Sequence, residues 1–176
     1  MEAFLEGFLP RVLPVDVDSQ VRTFEGKQDL EKQLVAQLRA WRRPNSHFVV
    51  LRDQDNDDCR ALKAKLAGIC KKAGRPETLV RVVCRELESW YLGDLRAVAD
   101  YFDREAIARQ QQKSTFRDPD GVGHPADALQ KLSGGRYSKV RDSRELGARI
   151  SIANNRSPSL AALVAGLERV VPTQQT

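Results

Sequence analysis

Four aspartates fall within six positions, in the stretch Asp53-Gln54-Asp55-Asn56-Asp57-Asp58. They follow an apolar run, Phe48-Val49-Val50-Leu51. A second apolar run, Thr78 to Cys84, leads into Arg85-Glu86-Leu87-Glu88. Carboxylates this close together repel, and a divalent cation offsets that repulsion. Mg²⁺ takes one or two carboxylates and completes its shell with water and substrate phosphate. The chemistry on offer is therefore metal-assisted work on a phosphate ester, by polarising it or stabilising its leaving oxygen. An EF-hand loop starting at Asp53 is excluded, because its sixth position is Asp58 instead of Gly and its twelfth is Ala64 instead of Glu.

Two plainer readings stay open. Asp55 to Asp58 could serve only to cap the following helix and favour its dipole. Glu86 and Glu88 could form an exposed first helical turn.

The elements that must carry these acids follow from the pattern. Glu2 to Leu13 has apolar residues at helical spacing and stops at Pro14. Val15 to Phe24 alternates loosely, which predicts a strand. Gly26 and Lys27 open a helix running from about Asp29 to Trp41, a place where backbone N–H groups and a cation favour phosphate. His47 to Arg52 is a second predicted strand, with Asn56 or Asp57 capping the helix after it. Thr78 to Cys84 is a third, turning into a short helix near Trp90. Strands alternating with helices imply a parallel sheet flanked by helices, with its acidic strand ends on one side.

Leu95 to Phe102 reads as helix, and Gln110 to His124, polar and punctuated by Gly and Pro, as a loop or a partly mobile segment. Helices are expected at about Pro125–Leu132, Ser143–Ile152 and Pro158–Val170, the last capped by Ser157. The expectation is one domain over residues 1–176, with an α/β core over 1–102 and a loop plus helical C-terminal part over 103–176.

The net charge of +5 is concentrated. Residues 134–156 hold Arg136, Lys139, Arg141, Arg144, Arg149 and Arg156 against Asp142 and Glu145. A basic segment beside an acidic strand end suits nucleic acid held near a metal, and it also suits a solvated helix face. No apolar run reaches the length of a membrane span. Glu2 and Glu6 stand where a signal peptide would be basic. Cys59, Cys70 and Cys84 form no Cys-x-x-Cys pair, and reduced thiols in a cytoplasmic protein are expected. His47, His124 and the Gly134-Gly135 pair match no zinc, triad or phosphate-loop pattern, and Trp90-Tyr91 reads as core.

Several motifs together resemble one family. They are Glu-Ala-Phe-Leu-Glu-Gly-Phe-Leu-Pro (2–10), Glu-Gly-Lys-Gln-Asp-Leu (25–30), Val-Val-Leu-Arg-Asp-Gln-Asp-Asn-Asp-Asp-Cys (49–59), Arg-Glu-Leu-Glu-Ser-Trp-Tyr-Leu-Gly-Asp (85–94), Arg-Asp-Pro-Asp (117–120) and Asn-Arg-Ser-Pro-Ser-Leu (155–160). Over nearly its whole length the chain resembles domain-of-unknown-function family 4276 (DUF4276), whose members look like Toprim-fold proteins. The resemblance implies a Toprim-like α/β fold, and Asp53 and Asp55 match the Toprim Asp-x-Asp. Toprim enzymes bind Mg²⁺ and cut or join phosphodiesters, and related bacterial proteins often accompany an ATP-binding-cassette-type ATPase in anti-phage or mobile-element modules.

The expected activity is thus a Mg²⁺- or Mn²⁺-dependent nuclease. Asp53, Asp55, Glu86 and Glu88 are its candidate catalytic residues, with Asp53, Asp55 and Glu88 on the metal and Glu86 or Glu88 as base. Lys27, Arg52, Arg136, Lys139 and Arg156 are the candidate phosphate or nucleic-acid contacts. The alternatives are a non-catalytic module that binds an ATPase or nucleic acid, and an enzyme handling a small phosphorylated molecule. In the family pattern a strand ending in an acidic motif precedes the helix that here starts at Glu2. Either the assigned start leaves that strand out, or this member lacks it; in the second case the resemblance implies an exposed sheet edge or groove open to another chain and the loss of one carboxylate.

Overall fold

The computed structural model describes residues 1–171, and the end of the expected domain, 172–176, lies outside them. Two parallel strands form the centre: β1 (Val49–Asp53) and β2 (Leu79–Val83), in register from Val49 opposite Leu79 to Asp53 opposite Val83. Helix α3 (Cys59–Lys72) joins them. Its cap is Asp58, whose carboxylate accepts from Ala61 N at 2.8 Å, in place of the expected Asn56 or Asp57. Gly74, with a φ of +80°, lets the chain leave α3 in the left-handed region.

Side chains alternate across a strand, so the sheet separates two cores. Val50, Val80 and Val82 meet Leu30, Leu34 and Leu38 of α2 (Lys27–Ala40) and Leu62, Leu66 and Cys70 of α3. Leu79 and Val83 face a larger core with Phe4 and Phe8 of α1 (Glu2–Val12). Trp90, Tyr91 and Leu92 of α4 (Glu88–Leu92) join that core. So do residues of α5 (Leu95–Phe102), α6 (Glu105–Arg109), α7 (Pro125–Ser133) and α9 (Pro158–Val170). The result is α/β, a small parallel sheet between helical layers with a helical C-terminal part.

α1 lies against α8 (Arg141–Arg149) at a distance only glycine permits. A Cβ on Gly7 would collide with the Arg144 carbonyl, and one on Gly147 with the Phe4 carbonyl. Gly7 thus has a packing role within helix α1.

The expected strand at Val15–Phe24 does not form. The segment opens in a turn, where Val17 N donates to Pro14 O at 3.0 Å, and forms no regular structure up to Phe24; Val15 is fully exposed. It is held by side chains instead: Arg22 donates to Gln37 Oε1 at 2.9 Å and lies over Trp41, and Arg43 pairs with Asp18. A strand needs a partner edge, and alternation in the sequence cannot show whether one is within reach. β1 does have an open edge. Leu79 N bonds Phe48 O and Gln54 N bonds Val83 O. Parallel pairing uses alternate residues, so Val49, Leu51 and Asp53 turn their backbone groups away from β2. No backbone group of the described residues bonds to them there.

The expected loop at Gln110–His124 is more ordered locally than its composition suggests. It folds as three 3₁₀ turns, Gln110–Gln112, Ser114–Phe116 and Pro119–Gly121, with Phe116 and Pro119 buried. The Gln111 side chain anchors it, donating to Leu92 O and Phe116 O and accepting from Leu95 N.

Candidate metal centre

Both strands end in a left-handed turn made by a residue other than glycine. Asp55 has a φ of +53° and Arg85 one of +60°. The two turns lock together: Asp55 N donates to Arg85 O at 2.9 Å, and Arg85 N donates to Gln54 Oε1 at 3.2 Å. Left-handed backbone at such residues costs free energy and persists where the surroundings impose it. The consequence is local and specific, since the turns bring the end of β1 beside the start of α4.

Asp53 is the last residue of β1, and its side chain shares a sheet face with Leu51 and Val83. Its Oδ1 is buried and accepts no hydrogen bond. Burial pushes its carboxyl from 3.8 up to about 6, and the charge of Glu88 is the next cause; the N-terminal ammonium opposes them, while Asp55 and Glu86 add to the rise. A buried carboxylate oxygen without a partner is costly, and carboxylates sharing a site resist joint ionisation.

Glu88, at the start of α4, is buried too. Its Oε1 accepts from the Tyr137 hydroxyl at 2.9 Å and lies 3.5 Å from Lys139 Nζ. Tyr137 and Tyr91 meet edge to face with ring centres 6.2 Å apart. The Tyr91 hydroxyl is fully buried and lacks a hydrogen-bond partner. Burial raises both phenols well above the usual tyrosine value, so both remain protonated donors.

The other expected site residues divide. Asp55 is half exposed, with Lys27 Nζ 3.7 Å away. Lys27 also lies 3.9 Å from Asp57. Glu86 is spent as a cap: its Oε2 accepts from Ala126 N at 3.3 Å, in the first turn of α7. Arg52 points to the opposite sheet face from Asp53. There it is only 7% exposed and pairs with Glu31 at 2.9 Å and Asp57 at 2.5 Å. Arg52 is thus a structural ion-pair partner and does not face the Asp53 cluster.

Arg136 lies over the Phe102 ring and donates to the Phe102 and Ser133 carbonyls, which ties the end of α7 to the end of α5. Arg156 donates to Gln111 O at 3.0 Å and lines a separate cleft with Asp94, Arg96 and Arg109. Of the five expected phosphate contacts, only Lys139 touches a buried carboxylate of the site, while Lys27 stands beside the outer aspartates.

Tyr137 and Tyr91 are the residues that sequence reasoning missed. Tyr91 sits three positions after Glu88 on one helix, a spacing that places both on one side. Tyr137 gave no local signal, because its contact with Glu88 is made only in the fold.

A family model described as a domain of unknown function, DUF4276, matches residues 1–168. The chain belongs to that family. Among curated proteins nothing matches it, and among solved structures nothing matches it. In this DUF4276 domain no three His, Cys, Asp or Glu side chains among the described residues converge as a ready-made metal cage. Asp53 and Glu88 nonetheless fit a hard cation of the Mg²⁺ type, which needs only one or two carboxylates from protein. No helix among the described residues is long and apolar enough to cross a membrane.

Proposed function

We propose that this DUF4276 domain is a Mg²⁺- or Mn²⁺-dependent phosphodiesterase of Toprim-like design acting on nucleic acid. The observation that carries this reading is the unpartnered, buried Oδ1 of Asp53 beside Glu88. A cation bound there would satisfy the orphaned oxygen and relieve the repulsion between the two carboxylates. Asp53 and Glu88 are its holders. Asp55 is an outer carboxylate, and Glu86 is assigned no catalytic part.

The cation would supply charge stabilisation on the phosphate oxygens. The chain's own residues do the rest. Tyr137 fixes Glu88, the buried tyrosines keep bulk water from the inner side of the site, and Lys27 and Lys139 meet phosphate from its rim. Hydrolysis adds a water oxygen to phosphorus, breaks one P–O ester bond and leaves a proton on the departing oxygen.

The test is cleavage of single- and double-stranded DNA and RNA with Mg²⁺ or Mn²⁺, comparing the natural protein with Asp53→Ala. Cleavage that needs both the cation and Asp53 supports the reading, and equal activity in the two proteins sinks it. A second reading is favoured by one observation: no third ligand converges with Asp53 and Glu88 among the described residues. On that reading the domain binds a partner, such as an ATP-binding-cassette-type ATPase of a defence module, without catalysis. Stable co-purification with such an ATPase, and no cleavage under any metal, would favour it.

A further inference from the structure

The two oxygens of Glu88 are treated differently. Oε1 has both Tyr137 and Lys139, and Oε2 accepts no hydrogen bond from the described residues. The two partners also differ in kind. Tyr137 is buried, its backbone N–H donates to Ser133 Oγ at 3.0 Å, and its ring packs on Tyr91. The Lys139 side chain is 63% exposed against 3% for Glu88, and its 3.5 Å approach is longer than a good hydrogen bond. The second carboxylate of the proposed site supplies a separate observation, the buried Oδ1 of Asp53 that accepts no hydrogen bond. The buried Tyr91 hydroxyl lies close enough for the charges of both Glu88 and Asp53 to act on it.

We propose that Lys139 is a built-in counterion of Glu88 that a divalent cation displaces, while Tyr137 holds Glu88 still through the exchange. This rests on the reading that Asp53 and Glu88 hold the cation. An ammonium and a divalent cation compete for one carboxylate, so Lys139 weakens binding of the bare cation. Its flexible four-carbon stem lets the head move away without disturbing the fold. Once released at the rim, the ammonium is a free partner for the phosphate that arrives. Cation and phosphate therefore bind with positive coupling, each favouring the Lys139 position that the other needs.

The experiment is a calorimetric titration of Mg²⁺ into the natural protein, Lys139→Met, Lys139→Arg, Asp53→Asn and Lys63→Met. Lys63 is an exposed residue of α3 and serves as a charge control. Loss of a positive charge this near a ligand should tighten Mg²⁺ binding about three- to tenfold in Lys139→Met. Lys139→Arg keeps the charge and should stay near the natural affinity, as should Lys63→Met. Unchanged or weaker binding in Lys139→Met, with binding still lost in Asp53→Asn, overturns the counterion role and leaves the cation site standing. No Mg²⁺ binding by the natural protein, or full binding by Asp53→Asn, overturns the cation site and this inference with it.

Discussion

Tyr137 donates its phenolic hydrogen to Glu88 Oε1 at 2.9 Å, joining the first residue of α4 to the turn that precedes α8. Both partners are buried, so neither finds water if the other is removed. Hydrogen bonds to charged groups are worth more than neutral ones, and removing this one leaves Glu88 Oε1 only the 3.5 Å approach of Lys139. Tyr137→Phe should lose about 1–3 kcal/mol of stability in urea unfolding. A change indistinguishable from zero would mean that water reaches Glu88 freely.

Asp53 sets a pH dependence whose sign is fixed by its raised carboxyl. The folded form binds the proton more tightly than the unfolded chain does. Its contribution is therefore favourable at low pH and is lost as pH rises from the unfolded carboxylate value through about 6. Asp53→Asn removes that loss. Urea unfolding at about pH 4 and about pH 8 should show the variant equal to the natural protein at the lower pH and about 1–3 kcal/mol more stable at the higher. Parallel pH profiles for the two proteins would contradict the burial of an ionisable Asp53.

Arg52 separates a structural role from a phosphate-binding one. It is buried between Glu31 and Asp57, on the sheet face away from Asp53. Removing the buried guanidinium leaves two carboxylates that water reaches in part, Glu31 at 23% and Asp57 at 43% exposure, which tempers the cost of a buried pair. Arg52→Met should lose about 1–2 kcal/mol, yet keep Mg²⁺ affinity within about twofold, since charge effects fade with distance and screening. A large loss of Mg²⁺ affinity with unchanged stability would reverse this assignment.

Gly7 and Gly147 set the approach of α1 to α8. The obstacle at Gly7 is backbone, which cannot swing aside as a side chain can. Gly7→Ala should destabilise by about 1–3 kcal/mol through overpacking, despite the better helix propensity of alanine. Thermal unfolding measures it, and a rise in Tm would show that the helices can separate without loss.

Much of the frame was legible in the sequence because its signals are local. Helical spacing and Ser157 marked α9, and Ser157 Oγ does accept from Leu160 N at 3.2 Å. Apolar runs ending in acids marked β1 and β2. The rest was hidden for physical reasons. Val15–Phe24 alternates like a strand, but sheet formation depends on a partner edge that no local pattern reports. Arg52 and Asp53 are adjacent in the sequence, yet neighbours on a strand point to opposite faces, and Arg52 pairs with Glu31 and Asp57 on the far side. Of the candidate site, the sequence shows that Asp53 closes β1 and Glu88 follows β2, but the partner of Glu88 lies far along the chain and meets it only through packing.

The most direct measurement is a Mn²⁺ titration followed by electron paramagnetic resonance on the natural protein, Asp53→Asn and Glu88→Gln. Free Mn²⁺ gives a signal that bound Mn²⁺ loses. One stoichiometric site in the natural protein, abolished in both variants while their folds persist, is the expected result. Equal Mn²⁺ uptake by all three proteins, or none by the natural one, would contradict a cation held between Asp53 and Glu88.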